Sequence, residues 1–129
     1  MEPLKIAIIG TRGIPNCYGG FEQLAQYLAA GMVQNGFDVT VYNSHKHPYQ
    51  YKEWNGVKIV HCHDPEHRWG TAGQFIYDFN CLADARKRKF DVVLLMGYTS
   101  CSICSVCIKI ISCYALEIKN YFIIIVLLR

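Results

Sequence analysis

The sequence predicts a doubly wound α/β domain built on a mainly parallel sheet with flanking helices. Three observations carry that prediction. Residues 6–9, Ile-Ala-Ile-Ile, form an apolar run of the kind found in a central strand buried on both faces. A glycine-rich loop, Gly10 to Gly20, follows at once and opens into an amphipathic helical stretch. After a second helical stretch, Val92–Met96 repeats the fully apolar pattern, which gives the order β-α-β-β-α-β.

The elements follow in order. The first helix is expected over about residues 20–35, with Phe21, Leu24, Ala25, Leu28, Ala29 and Met32 recurring as one apolar stripe. Glu22, Gln23, Gln26 and Gln34 are expected elsewhere on its surface, Glu22 in the first turn where a negative charge is favoured. Gly36 is placed to end the helix. Residues 39–42 read as the second strand. A polar and aromatic segment, residues 43–54, leads to Asn55-Gly56, a hairpin-type turn signal, and then to a third strand, Val57–Cys62. A loop with Asp64, Pro65, Arg68 and Gly70 precedes a second helix, Thr71–Arg88, whose buried face is expected to carry Phe75, Ile76, Phe79, Leu82 and Ala83. Arg86-Lys87-Arg88-Lys89 closes it. That run suits either the negative end of the helix dipole or an anionic lipid surface.

A strand, a glycine loop and a helix N-terminus together form a ready site for phosphate, since the helix end offers unpaired N–H groups and glycine lets a ligand approach the backbone. In such a sheet, ligands bind beyond the C-terminal strand ends, where Gly10, Asn43 and Gly97 are expected. The residues do not fit a dinucleotide-binding site: the spacing of Gly10, Gly13, Gly19 and Gly20 is wrong for its fingerprint, and Asn43-Ser44 stands where an acid is needed at the end of the second strand. A Walker-type loop is excluded by the absence of Gly-Lys-Ser or Gly-Lys-Thr. A glycine loop that only turns the chain is the structural alternative.

The chain has 129 residues, which points to one domain with a real core, and a formal net charge of +3, too weak to argue for nucleic acid. The N-terminus has no signal-peptide pattern. With 7 cysteines in uneven spacing, the thiols are expected to be reduced and the compartment cytoplasmic, with the inner face of a membrane as the more specific location. His61, His63 and His67, with Cys62, Asp64 and Glu66 nearby, invite a zinc reading, but no distant pair completes a structural site, and no metal is expected. His45 and His47 are expected as exposed loop histidines near the cleft mouth, one of them within reach of a substrate. Tyr98, after the fourth strand, lies at the same edge, where an aromatic ring can stack on a ligand or simply pack.

The string Ile-Ala-Ile-Ile-Gly-Thr-Arg-Gly-Ile-Pro, followed by Tyr-Gly-Gly-Phe-Glu, resembles the start of the rhamnosyltransferase-like branch of family 4 glycosyltransferases. Asn55-Gly56-Val57-Lys58-Ile59-Val60 and Phe90-Asp91-Val92-Val93-Leu94-Leu95-Met96-Gly97-Tyr98 fit the same pattern in the right order, so the resemblance covers about residues 4–100. It implies one half of a GT-B fold, in which two Rossmann-like domains face each other across a cleft. The N-terminal, acceptor-side half would be residues 1–100. The Gly-Gly loop of that half reaches the diphosphate of a nucleotide-sugar donor, a role that falls here on Gly19 and Gly20, with Arg12, Gly13 and Tyr98 as further binding residues. Arg12 suits phosphate because its planar fork can pair with two oxygens; the alternative is an exposed loop arginine. The implied reaction moves a hexose or deoxyhexose such as rhamnose to a glycan or lipid-linked acceptor, with retention, no cofactor and no metal. The partners would be that donor, that acceptor, a C-terminal donor-binding domain, and the membrane surface in a peripheral contact. No catalytic acid or base can be assigned.

Residues 101–129 depart from the pattern. Cys101, Cys104, Cys107 and Cys113 crowd one segment, and residues 123–128 are apolar throughout. Where the family would continue with Asp-Gly-Leu-Glu-Trp, this chain does not. An out-of-frame or truncated continuation, a membrane anchor broken by Lys109, Glu117, Lys119 and Asn120, and an iron–sulfur-like site all compete, the first foremost. A spurious tail of this composition could also pair with an open sheet edge. The expectation is a glycosyltransferase domain that is inactive alone; the rival is a non-catalytic α/β module that binds a phosphate ligand or a partner.

Overall fold

The computed structural model describes residues 2–96, 112–118 and 121–127. The tail cysteines Cys101, Cys104 and Cys107, together with Gly97 and Tyr98, lie outside the described residues. The chain has an α/β fold with a mostly parallel sheet flanked by helices, compatible with a Rossmann-like fold. Its elements are β1 (Lys5–Ile9), α1 (Gly20–Gln34), β2 (Asp38–Ser44), β3 (Glu53–Trp54), β4 (Val57–Cys62), α2 (Glu66–Trp69), α3 (Thr71–Arg88), β5 (Val92–Met96), β6 (Ser112–Ile118) and β7 (Tyr121–Leu127). Among the described residues the sheet has the order β3-β4-β2-β1-β5-β7-β6.

Strands β4, β2, β1 and β5 are parallel. The chain leaves β1 for β2 on one side and returns to β5 on the other, so the winding reverses between β1 and β5. That reversal opens a crevice beyond the strand ends. Antiparallel partners flank the parallel block. On one side β3 pairs β4 through Asn55 (φ 48°) and Gly56 (φ 80°), the two positive values that a type I′ hairpin turn needs. On the other, β7 pairs β5 from Val92↔Leu127 to Met96↔Ile123, and β6 pairs β7.

Alternation along β1 divides the core. Ile6 and Ile8 face α1 in a cluster with Ala25, Ala29, Val39 and Val41. Ala7 and Ile9 face α3 with Tyr42, Tyr77, Cys81 and Leu82. The expected stripe of α1 does face the sheet, with Phe21, Leu24, Leu28 and Met32 packed against the first cluster. The helix closes in a Schellman arrangement: Phe37 N–H donates to Met32 O (3.1 Å) and Gly36 N–H to Val33 O (3.0 Å), with Gly36 at φ 89°. Glu22 departs from expectation, being buried rather than on the surface.

Helix α3 has the expected limits but a rotated face. Gly73, Tyr77, Asp78, Cys81, Leu82 and Ala85 are buried, whereas Phe75, Ile76, Phe79 and Ala83 are exposed. Of the predicted inward residues only Leu82 is buried. Polar anchors decide the orientation. The Tyr77 hydroxyl lies 3.0 Å from both Thr11 O and Tyr42 O, and Asp84 accepts from the Tyr42 hydroxyl (2.7 Å) and from Arg88 Nε (2.6 Å). Hydrogen bonds to buried carbonyls hold Tyr77 inward, because an unpaired buried carbonyl is costly. Among the described residues Cys17, Cys62 and Cys81 are free thiols, and no helix is long and apolar enough to cross a membrane.

Gly10 marks the tightest approach. At φ 97°, a Cβ there would lie 2.2 Å from Met96 O, at the end of the neighbouring strand. Gly10→Ala is expected to destabilise the domain by at least about 2 kcal/mol in urea titration. Gly31→Ala in α1, where a Cβ meets nothing within 4 Å, should stabilise it by about 0.5–1 kcal/mol.

Candidate functional site

The loop between β1 and α1 lies across the C-terminal ends of the strands, and its course is fixed by side chains from β2 and the segment after it. Ser44 N–H donates to Arg12 O (2.9 Å). The Asn43 side chain then brackets the next turn: Ile14 N–H donates to its Oδ1 (3.1 Å) and its Nδ2 donates to Ile14 O (2.9 Å). Asn43 is fully buried, so both halves of its amide are satisfied by one residue of the loop. Gly13 is required beside it. Its φ is 133°, and a Cβ would stand 2.5 Å from Asn43 Cγ. Gly13 therefore shapes the loop from behind.

His47 fastens the far side. Its Nδ1 accepts from Tyr49 N–H (3.1 Å), which leaves the proton on Nε2, 3.1 Å from Pro15 O. The sequence suggested an exposed histidine; the ring is instead fully buried, and burial pushes its pKa below the ordinary 6.5. The remainder of the loop is tied to α1. Glu22 Oε1 accepts from Arg12 N–H (3.2 Å). Asn16 Oδ1 accepts from Tyr18 N–H (3.0 Å) and Gly19 N–H (3.2 Å), while Asn16 N–H donates to Gln26 Oε1 (2.7 Å). The Gly19 amide thus has an internal acceptor. Gly19 precedes the helix, which has no side-chain cap, and Gly20 is its first residue.

In front of this loop is an open cleft of about 320 Å³. Arg12, Tyr18, Ser44, Lys46, Asp64, Glu66 and His67 line it. Arg12 Nη2 pairs with Glu66 Oε1 at 2.7 Å, and its guanidinium carbon sits 5.3 Å from the centre of the Tyr18 ring. The ion pair is half exposed, so it positions the arginine while adding little stability. Asp64 is buried and organised. It accepts from the Ser44 hydroxyl (2.9 Å) and from Glu66 N–H (2.9 Å), and its own N–H donates to His45 Nδ1 (2.9 Å). The His45 ring stacks on His63 at 4.9 Å, whereas His61 Nε2 is 2.9 Å from Tyr49 O. His61 and His63, two of the histidines that invited a zinc reading, therefore have separate partners. Among the described residues no group of three His, Cys, Asp or Glu is arranged to hold a metal ion.

Of the residues chosen from sequence, Arg12 lines the cleft, Gly13 supports it, and Gly19 and Gly20 follow Tyr18 at its edge. Tyr98 lies outside the described residues. Ser44 and Lys46 were not singled out from sequence, and Asp64 and Glu66 only as metal-ligand candidates. A usable signal existed in Asp64-Pro65-Glu66, an acid-proline-acid helix start that marks the short α2 carrying Glu66 and His67 into the cleft.

No protein-family model, curated protein or solved structure matches this chain.

Two measurements test the loop's support. Asn43→Ala leaves Ile14 N–H and C=O without their partner and is expected to cost about 1–3 kcal/mol in urea titration. His47 gives a pH signature. Its folded pKa is depressed, so below pH 6.5 the unfolded chain binds a proton that the native ring does not. Stability should therefore be full above that value and fall as pH drops from 6.5 through the folded pKa. Urea midpoints measured across this range should lose that component in His47→Gln.

Proposed function

We propose that this chain is the acceptor-side, N-terminal domain of a GT-B glycosyltransferase, one that transfers a hexose or deoxyhexose from a nucleotide-diphosphate donor to a glycan or lipid-linked acceptor. The observation that carries the reading is the buttressed glycine loop, which brings Arg12 and the start of α1 to a cleft at the C-terminal end of a parallel sheet, beside its switch point. The motif Gly10-Thr11-Arg12-Gly13-Ile14-Pro15 with Gly19-Gly20-Phe21-Glu22, which resembles family 4 enzymes, coincides with that loop.

The cleft suits both parts of such a substrate pair. Arg12 and Lys46 offer cationic donors for phosphate oxygens. Asp64 and Glu66 offer carboxylate acceptors for sugar hydroxyls. The chemical contribution of this half is to hold the diphosphate leaving group and orient the acceptor, so that charge developing on the leaving oxygen meets fixed donors. Arg12 is held by Glu66, so a diphosphate would compete with that carboxylate for the guanidinium. The remaining donor contacts would come from a C-terminal domain, so the chain alone transfers no sugar. Its working compartment would be the cytoplasm, where nucleotide sugars are made.

Inorganic pyrophosphate serves as the probe for the diphosphate. Calorimetric titration should give weak binding that Arg12→Ala reduces about tenfold or more, the value of a lost charge-assisted hydrogen bond. Glu66→Gln should strengthen it by releasing Arg12. Binding indifferent to both substitutions would remove the cleft from consideration. Sugar transfer by the purified chain would overturn the claim that this half is inactive alone.

A further inference from the structure

Two thiols meet where β4 ends against α3. Cys62 is the last residue of β4, partly buried and packed against the cluster beneath α3. Cys81 lies on α3 inside that cluster, fully buried. Both are free thiols, and their side chains are hydrogen-bonded to each other. Strand β4 and α3 approach within 8 Å between Cα atoms. A disulfide spans up to about 7 Å on the same measure, so little adjustment separates contact from a bond.

The pair is unequal, which gives each thiol its own role. The Cys81 thiol donates to the Cys62 sulfur and holds it below its ordinary pKa, with Arg88 acting in the same direction and burial and Asp84 opposing. Burial pushes the Cys81 thiol well up, so it keeps its proton. A partly exposed thiol that ionises readily, beside a buried protonated one, is the arrangement of an attacking and a resolving cysteine. A buried cysteine alone would serve only as a small apolar residue; the contact with Cys62 is what gives Cys81 a chemical partner.

We propose that Cys62 and Cys81 form a reversible dithiol–disulfide site that hydrogen peroxide oxidises, bridging the end of β4 to α3. The Cys62 sulfur attacks one peroxide oxygen. An S–O bond forms, the O–O bond breaks, and hydroxide leaves to take up the proton that Cys62 released. The Cys81 sulfur then attacks the Cys62 sulfur. The S–S bond forms, the S–O bond breaks, and a second water leaves with the Cys81 proton. Both sulfurs are oxidised and the peroxide is reduced to water. Attack by a reducing thiol reverses the bridge, as a transient disulfide in a reducing compartment requires. The enclosed segment, residues 63–80, carries Asp64, Glu66 and His67 of the cleft. Oxidation therefore ties together the two ends of the chain that bears this wall. The inference does not rest on sugar transfer.

The test is treatment of the reduced full chain with equimolar hydrogen peroxide, alkylation of the remaining thiols, and mass mapping without reductant. Trypsin cuts after Lys58, Arg68 and Arg86, which puts the two cysteines on separate peptides, residues 59–68 and 69–86. The expected result is a product joining these peptides, two hydrogens lighter than their sum and lost with dithiothreitol. Cys17 is the more exposed thiol and should remain free for alkylation, since exposure alone would favour it. In Cys81→Ala the bridge should vanish and dimedone should label Cys62 as the sulfenic acid. In Cys62→Ala the buried Cys81 should stay unlabelled. Full alkylation of Cys62 and Cys81 after peroxide, oxidation confined to Cys17, or bridging of Cys62 to another cysteine in place of Cys81 would each overturn the proposal. So would dimedone labelling of Cys81 in Cys62→Ala, because Cys62 would then not be the attacking thiol.

Discussion

The buried amide of Asn43 is the interaction on which the cleft depends. A loop that leaves a parallel strand must satisfy its backbone groups without a neighbouring strand, and it does so here through one side chain that both accepts from and donates to Ile14. Because Asn43 sits on β2, the loop inherits the rigidity of the sheet. Gly13 follows from the same requirement, since any side chain there would occupy the space of the amide. His47 and Glu22 then hold the two flanks. What looks in sequence like a flexible glycine-rich connection is a tightly bonded turn, and the position of Arg12 is its product.

The electrostatics of the cleft follow from that turn. Arg12 is aimed outward by the loop, supported by the Tyr18 ring and held by Glu66. Asp64, bonded to Ser44 and to the first turn of α2, fixes where Glu66 stands. Cations and carboxylates therefore share one opening. Such an arrangement favours ligands with both anionic and hydroxyl groups over simple anions, because a small anion gains from Arg12 and Lys46 but meets two carboxylates as well.

Elements whose signal is local were legible in the sequence. The limits of α1 and α3, the Asn55-Gly56 hairpin and the apolar strands came from periodicity and turn chemistry, which act over a few residues. The inward face of α3 was not legible, because Phe75, Ile76 and Phe79 form a better apolar stripe than the residues that are buried. Tyr77 faces inward on account of carbonyls contributed by Thr11 and Tyr42, which are distant in sequence. His47 and Glu22 were misread for the same reason: each is buried by a partner in the glycine loop that no periodicity reveals. In the cleft itself, Arg12 could be named from its motif, whereas Ser44, Asp64 and Glu66 acquire their place only when β2 and β4 are side by side.

The place of β1 at the centre of the sheet has a consequence for synthesis. β1 needs β2 on one side and β5 on the other, and the tie between Lys5 and Asp91 spans 86 positions of chain. At about 5–20 residues per second, the ribosome releases the second neighbour on the order of ten seconds after the first strand. During that interval an apolar segment, Ile6 to Ile9, has one flank unsatisfied, while the β3–β4 hairpin can already close. The nascent chain is thus most exposed to capture by chaperones through its first strand, and cooperative assembly waits for β5.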